Sequence, residues 1–342
     1  MRHQFTIKVL ALVAIWISAG PGWLMEPAYA ADRVELANFD PVDDRRRGQV
    51  VLVTPSVIPQ EPLPLVILLH GYGMNQKQVD EGGWVAGFRF RGLRLLDRVD
   101  EHQFILARPN GTRTPVGPRH WNVFSQSGAV TATDTPQSGT VDDVDYILGL
   151  IDLADALPHV AVDRDRVILV GHSNGGFMAH LIACRAGHQI AAVVSLAGTT
   201  LWDASACRAE ARQEAMRSLH ILHIHGTSDP IVSYSGGLFR LSADEATATY
   251  PGALETVTIW AELLAECDGP VERQDHRTHR LNLIRETRFN QIDQETIAIE
   301  AACSQGSSAT LWRMEGIGHL PNFNSDFSKH LIKHVLDKLS QS

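Results

Sequence analysis

Four cysteines in 342 residues, with no C-x-x-C spacing among them, make a structural zinc site a poor reading of this chain. Basic residues are also in short supply. Thirty Lys and Arg stand against 39 Asp and Glu, a net charge of −9, and no basic stripe suits nucleic acid or an anionic lipid surface. The chain has no internal repeat, low-complexity stretch, linker or separate substrate-binding module. What is present, 44% apolar and 20% charged residues, describes an ordinary globular protein able to bury a sizeable core.

The N-terminus has the three parts of a secretory signal peptide. Arg2 and Lys8 supply positive charge, Val9 to Ala19 a short apolar core, and Ala28-Tyr29-Ala30 a small-x-small cleavage site. The apolar run is too short to span a bilayer. No Cys follows it for a lipid anchor, and no twin-Arg pair precedes it. The expected organisation is a signal peptide over residues 1–30 and one domain over 31–342, secreted or periplasmic, with no stable membrane anchor. Export allows the cysteines to pair. Of the three possible arrangements, Cys184–Cys207 with Cys267–Cys303 is favoured because each closes a local excursion and neither crosses the other; buried free thiols are the alternative.

Continuous apolar runs recur along the chain. Strands are expected at Val34–Phe39, Gln49–Thr54, Leu65–Leu69, Phe104–Ala107, Val167–Val170, Ala191–Leu196, Leu219–Ile224 and Thr310–Met314, with Pro62-Leu63-Pro64 as punctuation. Uninterrupted apolar strands between helical segments imply a mostly parallel sheet covered on both faces. Val144, Ile147, Leu148 and Ile151 follow helical spacing, with Thr140 and Asp143 offering a capping box. Leu254 to Cys267 reads as a helix, and Phe327, Leu331, Ile332, Val335, Leu336 and Leu339 form one stripe of another. Asp268 to Ala302 is polar and mixed, and reads as a hairpin or as an excursion closed by a Cys267–Cys303 bond.

The decisive motif is Gly171-His172-Ser173-Asn174-Gly175, straight after the strand Val167–Val170. The pentapeptide alone would arise by chance in roughly one chain of this composition in eight. Its context carries the weight: a buried strand before it, a small-residue helix start after it, and partners downstream in the order Ser, Asp, His. Ser173 is the candidate nucleophile. Asp229, in the turn-rich loop after Leu219–Ile224, is the candidate acid, with Asp203 as its rival. His319, bracketed by Gly316 and Gly318 after the last strand, is the candidate base; His223, His225, His330 and His334 are expected to pack or be solvated. The oxyanion donors should be the backbone N–H groups of Asn174 and Tyr72. Trp121, Asn122 and Trp202 are candidate substrate-binding residues. This chemistry requires no cofactor and no metal, and none is expected.

These motifs, with Leu69-His70-Gly71-Tyr72-Gly73, Pro109-Asn110-Gly111, His225-Gly226-Thr227-Ser228-Asp229-Pro230, Tyr234 and Gly236-Gly237, resemble the secreted polyhydroxybutyrate depolymerase and feruloyl/acetylxylan esterase group. The resemblance runs from about Pro64 to His319. It implies an α/β-hydrolase fold, a Ser173-Asp229-His319 triad, no metal, and two disulfides; the segment Thr199 to Arg217 is too short for a large helical cap. The chain departs from the group in having Leu320-Pro321-Asn322, not Trp-Pro, after the histidine, and Asn110 where many members have Asp. A carboxylic ester is the expected substrate: a polyester, an esterified polysaccharide or a short aliphatic ester. An exported acyltransferase, a peptidase and a non-catalytic binding protein on a hydrolase scaffold are the rival readings.

Overall fold

The computed structural model describes residues 33–37, 47–85, 87–113, 117–123, 142–157, 159–200, 218–240, 247–264, 279–281, 296–301 and 306–340. Ten strands form the central sheet: β1 (Arg33–Ala37), β2 (Val50–Thr54), β3 (Leu63–Leu69), β4 (Ile105–Arg108), β5 (Val162–His172), β6 (Ala192–Leu196), β7 (His220–Gly226), β8 (His279–Leu281), β9 (Thr296–Ala301) and β10 (Ser308–Met314). Their order is β1-β2-β4-β3-β5-β6-β7-β10-β9-β8. From β4 through β10 each neighbour pair is parallel. The flanks, β1 and β2 on one side and β9 and β8 on the other, join antiparallel.

Period-two alternation explains why the central strands are apolar without a break. Leu65, Ile67 and Leu69 face one core and Val66 and Leu68 the other, so both faces need side chains that leave water. Among the described residues, six α-helices accompany the strands: α1 (Gln76–Glu81), α2 (Val99–His102), α3 (Asp143–Asp155), α4 (Asn174–Ala186), α5 (Ala253–Leu263) and, after the last strand, α6 (Phe327–Leu339). Tyr146, Ile147 and Leu150 of α3, Phe177 and Met178 of α4 and Val257 and Trp260 of α5 fill the first core. Val79 of α1 and Leu331, Ile332 and Val335 of α6 fill the second. The α6 stripe read from the sequence is thus the buried face, while Lys329 reaches Glu101 at 2.8 Å and Lys333 reaches Asp337 at 2.5 Å outside it.

Several boundaries differ from expectation. Pro62-Leu63-Pro64 does not precede the third strand; β3 begins at Leu63 and carries Pro64 through a register shift between Pro64 and Leu65, the place where a missing N–H is tolerated. The α3 cap is Asp142, whose carboxylate accepts from Val144 and Asp145 N–H, and Thr140 lies outside the described residues. Asp143 is instead buried against Arg47 at 2.5 Å. Helix α5 spans Ala253–Leu263, and 265–278 lie outside the described residues. The polar stretch before Ala302 does supply a hairpin, β8 against β9. Three further hairpins have strands of two to four residues: Gly83–Val85 with Phe88–Phe90, Thr112–Arg113 with Arg119–His120, and Gly237–Arg240 with Thr247–Tyr250. Such short strands show no period in a sequence.

Candidate active site

Ser173 sits between β5 and α4 with φ 52° and ψ −118°. A β-carbon in that region is strained by about 1–3 kcal/mol, tolerated only where the surroundings enforce it. They do so here by contact. A Cβ on Gly171 would lie 2.1 Å from the Gly175 carbonyl oxygen, and one on Gly175 would lie 2.3 Å from the Leu69 carbonyl oxygen. The strand and helix therefore meet backbone to backbone, and only hydrogen fits at either position. The Ser173 N–H donates to the Leu196 carbonyl at 2.7 Å, which pins the turn to the end of β6 and leaves the side chain at the rim.

Two loops at the same end of the sheet bring a carboxylate and an imidazole to that hydroxyl. His319 Nε2 lies 2.9 Å from Ser173 Oγ, and His319 Nδ1 lies 2.7 Å from Asp229 Oδ2. A carboxylate beside Nδ1 fixes the hydrogen there and leaves Nε2 bare to accept a proton from the hydroxyl. The Asp229 side chain is fully buried while that of His319 is 13% exposed, so the charge is sheltered and the imidazole edge is reachable. Burial raises the Asp229 pKa, but hydrogen bonds from His225 and His319, the His319 ring and the Ile231 N–H outweigh it and hold the carboxylate well below the usual range. Oδ1 accepts from Ile231 N–H at 2.8 Å and Val232 N–H at 3.0 Å. The arrangement can deprotonate an alcohol and stabilise the imidazolium that results.

His172, the variable residue of the pentapeptide, is part of this machinery. Its Nε2 donates to the His319 carbonyl at 3.1 Å, and its ring stacks on Phe90 at 5.3 Å. Burial, with the His319 ring as a lesser cause, pushes the His172 pKa down to about 3. The period of β5 puts His172 on the face opposite its neighbours, but its partner His319 is 147 residues away in the chain, so the pairing shows only in the fold. His225 also comes within 3.4 Å of Asp229 Oδ2, against the expectation of a packing or solvated role.

The opposite wall is the loop after β3. His70 accepts from the Gly111 N–H through Nε2 at 2.9 Å, so its Nδ1 carries the hydrogen and donates to the Gly71 carbonyl at 2.8 Å. This bond explains why the His-Gly and Pro-Asn-Gly motifs occur together: one ring ties both loops. Burial pushes His70 down to about 4. Tyr72 follows in a turn closed by Met74 N–H to Gly71 O at 3.1 Å and Gly73 N–H to Arg119 O at 2.8 Å, and the residue is 62% exposed. Asn174 opens α4, where a backbone N–H has no acceptor within the helix. Its side chain grips the Trp121 backbone, accepting from the N–H at 2.7 Å and donating to the carbonyl at 3.1 Å.

Trp121 itself is buried. Its indole N–H donates to the His70 carbonyl at 2.9 Å and its ring packs near His70 and Tyr146, so the structure uses it to brace the loop, not as an open wall. Asn122 is exposed, and its N–H donates to Asp143 at 2.5 Å. Trp202, Asp203, Cys207, Cys267 and Cys303 lie outside the described residues; Cys184 is buried in α4. His334 packs against Trp312, and His330 bonds the Asp326 carbonyl. Among the described residues, no group of three or more His, Cys, Asp and Glu is placed to hold a metal ion, and no helix is long and apolar enough to cross a membrane.

Residues 55–240 match the Phospholipase/Carboxylesterase family. Acyl-protein thioesterase 1 of Neurospora crassa is 25% identical over 205 residues, 55% of this chain and 78% of that protein. Feruloyl esterase B of Piromyces equi is 28% identical over 201 residues, 58% of this chain and 32% of that larger protein. Among solved structures, the acetyl xylan esterase from Aspergillus awamori shares the fold, with a TM-score of 0.55 at 16% identity over 91% of this chain and 100% of that one.

Proposed function

The chain belongs to the Phospholipase/Carboxylesterase family and is a serine carboxylesterase of the α/β-hydrolase superfamily, and we propose that Ser173, His319 and Asp229 are its catalytic triad. The observation that carries this is the unbroken path from Asp229 through His319 to Ser173 Oγ, at 2.7 and 2.9 Å. His319 takes the hydroxyl proton as Ser173 attacks the ester carbonyl. The N–H groups of Asn174 and Tyr72 hold the oxyanion, and His319 returns the proton to the leaving alcohol. Water then repeats the sequence on the acyl-enzyme. Alanine at 173 tests it: turnover of a short nitrophenyl ester is expected to vanish, and a substantial remainder would overturn the assignment.

The proposed substrate is an aliphatic polyester of the polyhydroxybutyrate kind. Support comes from the motif set and from exposed apolar side chains, Tyr72 after β3 with Ile231 and Leu238 after β7, which suit an oily chain better than a sugar. Esterified plant polysaccharide is the second reading, favoured by the similarity to a feruloyl esterase. A turnover panel of nitrophenyl esters, methyl ferulate, acetylated xylan and polyester film separates the two, and added acceptor alcohol reveals any acyl transfer.

Export over residues 1–30 and the pairs Cys184–Cys207 and Cys267–Cys303 belong to the same proposal. The one described cysteine, Cys184, is not a free thiol. Sequencing the N-terminus of the exported protein should give a start near Ala31, and a thiol reagent should label nothing before reduction.

A further inference from the structure

Asp229 serves two imidazoles, and the catalytic path uses only one. Besides His319, its Oδ2 faces His225 Nε2 at 3.4 Å, both side chains being fully buried. The same Nε2 lies 2.9 Å from the Val232 carbonyl oxygen. A carbonyl can only accept, so Nε2 carries a hydrogen, shared between Val232 and the carboxylate. In the uncharged ring Nδ1 is then bare. His223 Nε2 stands 3.1 Å from it and must donate, which leaves His223 Nδ1 bare in turn; that atom is buried with no partner. Each ring fixes the hydrogen position of the next, and the order starts from one backbone carbonyl.

We propose that His225, set as its Nε2–H tautomer by Val232 and His223, is a positioning residue that holds the Asp229 carboxylate in register with His319. The inference rests on the triad reading above. Without the His225 hydrogen, Oδ2 would have His319 as its single side-chain donor, and the orientation of the carboxylate would rest on the Ile231 and Val232 N–H groups at Oδ1 alone. The opposite tautomer would aim a lone pair of His225 at both Val232 O and Asp229 Oδ2, two repulsions in a buried site. A space-filling role would be met by an apolar side chain. The titratable groups around the pair come from four elements: His223 on β7 itself, His180 on α4 with its ring 6.0 Å from His223, His319 after β10, and His172 at the end of β5 with its ring 5.1 Å from His319. Tyr234 adds a ring 5.7 Å from His225. Trp260 donates its indole N–H to His180 Nδ1 at 2.9 Å. Burial, then the neighbouring rings of His225 and His180, holds His223 well below the ordinary histidine range, consistent with an uncharged donor.

The test compares variants that keep or remove one hydrogen. In His225→Gln the amide nitrogen occupies the place of Nε2; in His225→Leu nothing donates. The Leu variant is expected to lose about tenfold in kcat with KM nearly unchanged. Its acid limb of kcat/KM should move up by about half a pH unit, because a carboxylate with fewer donors stabilises the imidazolium more. The Gln variant should recover most of both, and His223→Leu with His223→Gln should repeat the pattern more weakly. A folded Leu variant with an unmoved limb, or a Gln variant that rescues nothing, overturns the proposal. If the Leu variants do not fold, imidazole nitrogen NMR on the intact enzyme decides: the hydrogen of His225 should be on Nε2, and finding it on Nδ1 ends the idea. Failure of the triad itself reads differently, as turnover surviving S173A.

Discussion

The two walls of the site are built on different principles. The nucleophile wall is one run of chain, residues 171–176, in which two glycines let backbone touch backbone and force Ser173 into a positive φ. The acid–base wall is assembled from ends of β5, β7 and β10 by side-chain hydrogen bonds: His319 to Asp229, His172 to His319 and His225 to Asp229. Contact without spare room cannot be altered without refolding, whereas a hydrogen bond can be removed one at a time. Changes at the glycines of the first wall should therefore fail as structure, and changes at the hydrogen-bonding side chains, Ser173 included, as catalysis.

The largest effect that would sharpen this contrast is chemical. S173A should lower turnover by about ten-thousandfold and Asp229→Asn by about a thousandfold or more, both with urea midpoints close to that of the parent. A midpoint drop as large as the activity loss would erase the distinction between the walls. Acid comes next, acting on both at once. His70 is lowered to about 4, and His172 and His180 to about 3, chiefly by burial. Each binds its proton later in the folded state than in the unfolded chain, so its contribution is intact above about pH 6.5 and is lost as pH falls toward those values. Three such rings give a slope of up to roughly 4 kcal/mol per pH unit below pH 6. Urea midpoints at pH 7, 6 and 5 measure it; a flat series means these rings charge without unfolding.

Smaller steps probe each wall by itself. Gly175→Ala should cost about 3 kcal/mol of stability, seen in urea melts, with the surviving folded fraction turning over normally. Asn174→Ala removes two bonds to the Trp121 backbone, worth about 1–2 kcal/mol in sum, and should lower kcat a few-fold as the helix-start amide loosens. The least effect carries the opposite sign. Ser173→Gly relieves the strained φ and should raise stability by about 1 kcal/mol while abolishing turnover. A neutral or negative shift there would mean that the turn stores no strain.

The nucleophile wall was the legible one because its information is local: an apolar strand, a Gly-x-Ser-x-Gly turn and a small-residue helix start lie within sixteen residues. Asp229 and His319 could be picked out as polar residues in turn-rich loops after apolar strands. His172 and His225 could not be read in the same way, since their roles depend on which strands are neighbours: β7 against β10 on one side and β3 against β5 on the other. Whether Trp121 faces substrate or braces the loop was not legible, because an indole looks the same in a sequence whether its N–H meets water or, as here, the His70 carbonyl. Thr140 drew the α3 cap two residues early, where Asp142 competes with the same chemistry and Asp143 is taken by Arg47.

That last pair limits how the protein can be handled. The Arg47 guanidinium is fully buried against Asp143 and lies 4.1 Å over the Tyr146 ring, while its carbonyl accepts from Arg119 beside Gly111. The front of the chain is thus bolted to the loop that carries Asn110 and Gly111. Replacing Arg47 by an uncharged residue would strand a sequestered anion and loosen that loop, at a penalty of about 3–5 kcal/mol. Affinity tags and fusion partners belong ahead of that arginine, never in its place.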